Sequence, residues 1–198
     1  CEGPGCGAEV PLIRSLWLCK KANRSVALQL VPRPRAKRVD FQIIVKQRGG
    51  WVDQDDSRTK IADPKLDGTV KRGSVTCPCC GYTTPVTRVR DQLREQSGGA
   101  DSSRLMCICV LREGNKTYRQ VEPHDIKTLK VVASRFKRED ILPPIPIPLM
   151  SGVFNVPIYG MTRWDLLFSL RQLASAQVLS SKLAALDTRI NDQHLRLA

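Results

Sequence analysis

Thr76-Cys77-Pro78-Cys79-Cys80-Gly81-Tyr82-Thr83-Thr84-Pro85 is the stretch on which the reading of this chain turns. Cys77-x-x-Cys80-Gly81 has the form of a metal-binding knuckle. Its tight turn lets backbone N–H groups point at the first thiolate, and glycine after the second cysteine permits a positive φ. Working outward, Cys1-Glu2-Gly3-Pro4-Gly5-Cys6-Gly7-Ala8-Glu9 ends on the same Cys-Gly step, with four residues rather than two between its cysteines. Two such turns, each heading a strand, would bring Cys1, Cys6, Cys77 and Cys80 into a tetrahedron, a structural zinc site of the zinc-ribbon kind. A closed four-thiolate site has no open position for water or substrate, so it stabilises rather than catalyses. The competing reading makes these cysteines ordinary reduced core residues. Cys79 lies between two expected ligands and is left out of the set, since adjacent cysteines rarely both face one ion.

The segments around the knuckles read as an α+β chain of antiparallel hairpins and helices. Val10–Leu18 is a short apolar strand. Ser25–Val31 and Val39–Val45 alternate apolar and polar residues, the mark of half-buried strands. Their connection places Arg33, Arg35, Lys37 and Arg38 at an exposed tip. Residues 49–68 are rich in Asp and Gly and read as a long loop, followed by a strand over 69–76. Thr84-Pro85 starts a helix that runs to about Gln96. Leu105–Leu111 and Thr117–Val121 make another hairpin, and Cys107 and Cys109, alternating on its first strand, read with Cys19 as core packing. Pro123–Lys137 is helical, the proline-rich run from Leu142 to Tyr159 is extended, and a last helix from Ser169 carries Leu179, Leu183, Leu186 and Ile190 on one face. The expected organisation is therefore a zinc-ribbon and hairpin module over 1–121 with knuckles at 1–7 and 77–81, a helix over 122–141, an extended segment over 142–168 and a C-terminal helix over 169–198.

The 198 residues carry 32 Lys and Arg against 19 Asp and Glu, a formal charge of +13. That excess attracts polyanions, of which nucleic acid is the commonest in a cell. Aromatic residues make up only 5% of the chain, too few for extended stacking platforms, so duplex backbone contact is the better expectation than single-strand binding. The phosphate-contacting set is read as Arg33, Arg35, Lys37, Arg38, Lys71 and Arg72. No apolar run approaches the ~20 residues that cross a bilayer, and no signal peptide is visible, which points to a cytoplasmic protein without a membrane partner. The first residue is Cys1 rather than Met, so the chain reads as a fragment or a processed chain.

Catalytic constellations are missing from the sequence. There is no G-x-G-x-x-G after a strand, no Walker loop, no H-E-x-x-H and no G-x-S-x-G. Asp53, Asp55 and Asp56 read as a solvated loop, and His124 and His194 as helix-surface residues. No catalytic residue is assigned.

Five segments carry a resemblance: Cys6–Ser15, Gly68–Ser74, the knuckle with Gly81-Tyr82-Thr83-Thr84-Pro85, Tyr159-Gly160-Met161-Thr162-Arg163-Trp164, and Arg171-Gln172-Leu173. Together they resemble the central region of the large prokaryotic adenine-specific DNA methylases that contain a conserved domain of unknown function. The resemblance implies an insertion within a Rossmann-like methyltransferase. Its S-adenosylmethionine loop would precede this segment and its Asp-Pro-Pro-Tyr motif would follow it. Neither motif occurs here, and Asn155-Val156-Pro157-Ile158-Tyr159 lacks the paired prolines. The implied partners are DNA and the flanking methyltransferase domain of the same parent chain, against which the leucine face of the last helix would pack. Leu170 and Asp165 depart from the family pattern, where Pro and Gly are expected, which unsettles the local turn. A free-standing zinc-ribbon module binding nucleic acid or protein, and a purely structural insert, are the alternatives.

Overall fold

Val26, Leu28 and Leu30 on one strand face Val45, Ile43 and Phe41 on the next, because alternation places every second residue on one side of the sheet. The computed structural model describes residues 1–148 and 155–196, and it divides into two units, Cys1–Asp91 with Arg104–Val121, and Gln92–Ser103 with Glu122–Ala198. The architecture is mixed α+β with antiparallel sheets and a long C-terminal helix.

In the first unit, β1 (Trp17–Lys21), β2 (Arg24–Arg33), β3 (Arg38–Gln47), β4 (Gly50–Asp53) and β5 (Lys60–Ile61) form one antiparallel sheet in chain order. β6 (Val70–Lys71), β7 (Ser74–Thr76) and β8 (Thr83–Thr84) form a second, and α1 (Val86–Glu95) follows, its residues from Gln92 on belonging to the second unit. β9 (Ile108–Arg112) and β10 (Asn115–Arg119) make a hairpin. The core is Leu16, Val26, Leu28 and Ile43, flanked by Ile13, Phe41, Met106, Cys107 and Tyr118. Each such leucine or isoleucine contributes about 1.5–3 kcal/mol of transfer free energy. The opposite face of the sheet is covered too. Ala27 and Ile44 are fully buried there, and strong coiling brings Trp17 of β1 to Trp51 of β4, with ring centroids 5.5 Å apart.

The two sheets of this unit are tied by the chain ahead of β1. Leu16 N–H donates to Leu66 O (3.1 Å), Gly68 N–H to Arg14 O (3.1 Å) and Val70 N–H to Ile13 O (3.0 Å). Thr69, buried, receives the Ile13 N–H and donates to Pro11 O. A Cβ on Gly68 would overlap the Ile13 carbonyl, so only glycine fits.

Several expectations change. Residues 49–68 hold β4 and β5, since Lys46, Val45 and Ile44 of β3 offer a free edge to Trp51, Val52 and Asp53. The expected single strand over 69–76 is two strands, reversed at Arg72 and Gly73, whose φ angles are 51° and 86°. β1 starts later than Val10, with 10–14 outside any strand. Cys19 and Cys107 pack on the core as expected, but Cys109 is exposed where the two-stranded hairpin runs beyond it.

In the second unit, α2 (Pro123–Arg135) and α3 (Arg138–Ile141) pack on α4 (Leu170–Arg196). Gly160 (φ 91°) lies where a Cβ would be 2.6 Å from the Arg94 Cα and 2.8 Å from the Leu93 carbonyl oxygen. Asp165 is buried, pairs with Arg163 at 2.8 Å and lies beside Arg138, whose side chain is largely covered. Arg138 also donates to the Asp165 and Phe168 carbonyls and to Asp101. The Tyr159–Trp164 segment is therefore held by its neighbours, Leu93 and Arg94 at Gly160 and Asp165 at Arg163. Leu179, Leu183 and Leu186 are exposed as the helix pattern anticipates. The side chains of Ile190 and His194, and part of the expected extended segment (149–154), lie outside the described residues.

Candidate metal centre

Two turns far apart in sequence converge. Cys6 N–H donates to Gly3 O (3.0 Å), closing the first. Gly81 N–H donates to Cys77 O and Cys77 N–H to Tyr82 O (2.9 Å each), closing the second. Gly7 (φ 60°) and Gly81 (φ 77°) take the left-handed conformation after their cysteines, as the Cys-Gly steps require. The turns fit tightly: a Cβ on Gly3 would come 2.9 Å from both the Cys80 Sγ and the Tyr82 Cβ. Arg88 of α1 clasps the first turn, donating to Glu2 at 2.8 and 3.0 Å.

The Sγ atoms of Cys1, Cys6, Cys77 and Cys80 all lie within 4.8 Å of one another. Cys1 to Cys80 is 3.6 Å and Cys6 to Cys77 is 3.9 Å. A tetrahedron with metal–sulfur bonds of ~2.3 Å has an edge of about 3.8 Å, whereas a disulfide needs ~2.05 Å. The spacing therefore suits four thiolates around one ion and excludes crossed disulfides. Gly3 N–H donates to Cys1 Sγ at 3.3 Å. Burial pushes the Cys77 thiol up, but the Cys79 and Cys80 backbone N–H groups, with the Cys80 and Cys6 thiols, outweigh it and leave it below the ordinary thiol value. Cys77 is also the buried member of the four.

Cys79 points elsewhere. Its Sγ donates to the Arg38 carbonyl at 3.5 Å, and burial with the nearby Cys77 holds its thiol above the usual value. No spacing rule assigns this role, because the partner is 41 residues away.

The basic residues fall on two separate turns. Arg33, Arg35, Lys37 and Arg38 are exposed at the β2–β3 connection, where Pro34–Ala36 form one 3-10 turn. Asp40 lies between Arg33 (3.3 Å) and Arg38 (3.1 Å). Lys71 and Arg72 are exposed on the β6–β7 turn. The acidic loop residues serve their own loop: Asp53 accepts from Gln42 and from the Asp55 N–H, and Asp56 from the Arg58 N–H and Thr59 hydroxyl. His124 sits exposed between Glu122 and Asp125. Among the described residues, no helix is long and apolar enough to cross a membrane.

No protein-family model, curated protein or solved structure matches this chain.

Proposed function

We propose that this chain is a zinc-held, non-catalytic segment of an S-adenosylmethionine-dependent DNA adenine methyltransferase, and that its basic turns grip DNA phosphates. The observation that carries the metal part is the convergence of four Sγ atoms at the edge lengths of a tetrathiolate tetrahedron. Zinc suits that donor set, since soft thiolates in a tetrahedron favour it. Bound there, it would staple two turns whose cysteines stand 71 and 79 residues apart, completing a zinc ribbon. With all four positions filled by thiolates the ion has no site for substrate, so its work is structural.

Support for the DNA part comes from the charge of +13 and from Arg33, Arg35, Lys37, Arg38, Lys71 and Arg72 standing exposed on turns. Phosphate contacts of this kind position an enzyme and read little sequence. Methyltransferase parentage, with the Rossmann-like domain and cofactor loop supplied by the rest of a parent chain, rests on the five sequence segments quoted above. The test pairs metal analysis with duplex-DNA binding across a salt series. One zinc per chain and an affinity that falls steeply with salt support the reading. Zinc without measurable DNA affinity leaves a purely structural insert and removes the DNA part.

A further inference from the structure

Resting on that reading, we infer that metal occupancy controls the basic β2–β3 tip: the tip hangs on the cysteine turns, with Cys79 as its strap. Three contacts join them. Glu9 N–H, just past the first cysteine turn, donates to Lys37 O at 2.8 Å. The Cys79 thiol, inside the second turn, donates to Arg38 O at 3.5 Å. The Lys37 ammonium lies beside the Cys6-Gly7 step, 3.8 Å from where a Gly7 Cβ would stand. Arg104 adds a brace, pairing with Glu9 at 3.6 Å and donating to the Val39 carbonyl.

Within the tip itself, Lys37 N–H donates to Pro34 O (3.1 Å) and Lys37 takes φ 51°, which a non-glycine residue holds only when its surroundings impose it. The 3-10 turn sets that conformation, and the cysteine turns hold it through the Glu9 and Cys79 contacts to Lys37 O and Arg38 O. Ion binding sharpens the hold. Four thiolates around a divalent cation would carry a net charge of −2, and the Lys37 ammonium stands beside the Cys6-Gly7 step of that site. Loading the site thus fixes the backbone of the tip and draws Lys37 inward, while Arg35, which makes no ion pair among the described residues, stays turned to solvent. Polyanion affinity and metal affinity are then linked, each changing the other by the same factor.

Limited trypsin digestion of the full chain tests this without relying on DNA binding. The bonds after Arg35 and Lys37 report the tip, and in a parallel chymotrypsin digest the bond after the buried Leu28, at the centre of the core sheet, reports global unfolding. At a temperature well below the Tm of the chelated chain, chelation is expected to speed the two tip cuts by roughly threefold to tenfold, the range one lost net hydrogen bond allows, while the Leu28 bond stays protected. Restoring zinc should reverse it. Tip cuts that do not quicken, or that quicken only together with the Leu28 cut, overturn the inference. Cys79→Ala is the second variant: it should keep one zinc per chain yet be cut faster at the tip. Loss of zinc, or unchanged cutting, refutes Cys79 as the strap. If the cuts behave as expected but chelation leaves the DNA affinity unaltered, the device stands and the DNA-binding reading fails.

Discussion

Removing one ligand from the cysteine cluster should destabilise the first unit by an amount its topology sets. Cys6 and Cys77 are 71 residues apart. Treating the ion as a cross-link that closes this loop in the unfolded chain gives a stabilisation of about 4.4 kcal/mol at 25 °C. For a unit of roughly 100 residues, that corresponds to a fall in Tm on the order of 15–20 °C. Cys77→Ser is the cleanest perturbation, because Cys77 is the most buried of the four and a serine oxygen is a poor partner in a soft tetrathiolate site. The assay is thermal unfolding of wild type and variant, each with and without a chelator. Wild type should lose its Tm increment on chelation, and Cys77→Ser should start low and respond little. A chelator response of equal size in both proteins, or none in wild type, would refute the cross-link argument.

Four further outcomes are expected. Arg33→Ala/Arg35→Ala should lower the slope of log affinity against log salt by about one to two, if the tip contacts duplex phosphates; an unchanged slope counts against it. Gly3→Ala forces a methyl against the Cys80 sulfur and the Tyr82 Cβ, and competition with a chromophoric chelator should show at least about tenfold weaker zinc binding. Asp165→Ala removes a buried carboxylate from between Arg138 and Arg163, costing about 1–3 kcal/mol in urea unfolding, because Arg163 loses both carboxylate acceptors while Arg138 keeps the Asp165 and Phe168 carbonyls and Asp101. Leu28→Ala, at the centre of the core, should cost about 2–5 kcal/mol in the same assay.

The Cys-x-x-Cys-Gly step, the alternation of β2 and β3, and helices α1, α2 and α4 were legible because each is written locally, in spacing or periodicity. What escaped was set by neighbours. β4 is only Gly50-Trp51-Val52-Asp53, and it becomes a strand through its register on β3, in a stretch whose aspartates suggest a loop. The Arg72-Gly73 reversal places an arginine at positive φ, which its residue type does not advertise. Pairing of Leu16 with Leu66 and of Ile13 with Val70 joins segments some fifty residues apart. At the site, the four cysteines could be named from the turns, but the orientation of Cys79 toward Arg38 depends on a hairpin that no spacing connects to it.

X-ray absorption at the metal edge of the purified, zinc-loaded chain tests the central claim most directly. The account predicts a first shell of four sulfurs at about 2.3 Å, with no oxygen or nitrogen scatterer. A shell with fewer than four sulfurs, or with a nitrogen or oxygen ligand in place of one, would contradict a closed site built from Cys1, Cys6, Cys77 and Cys80.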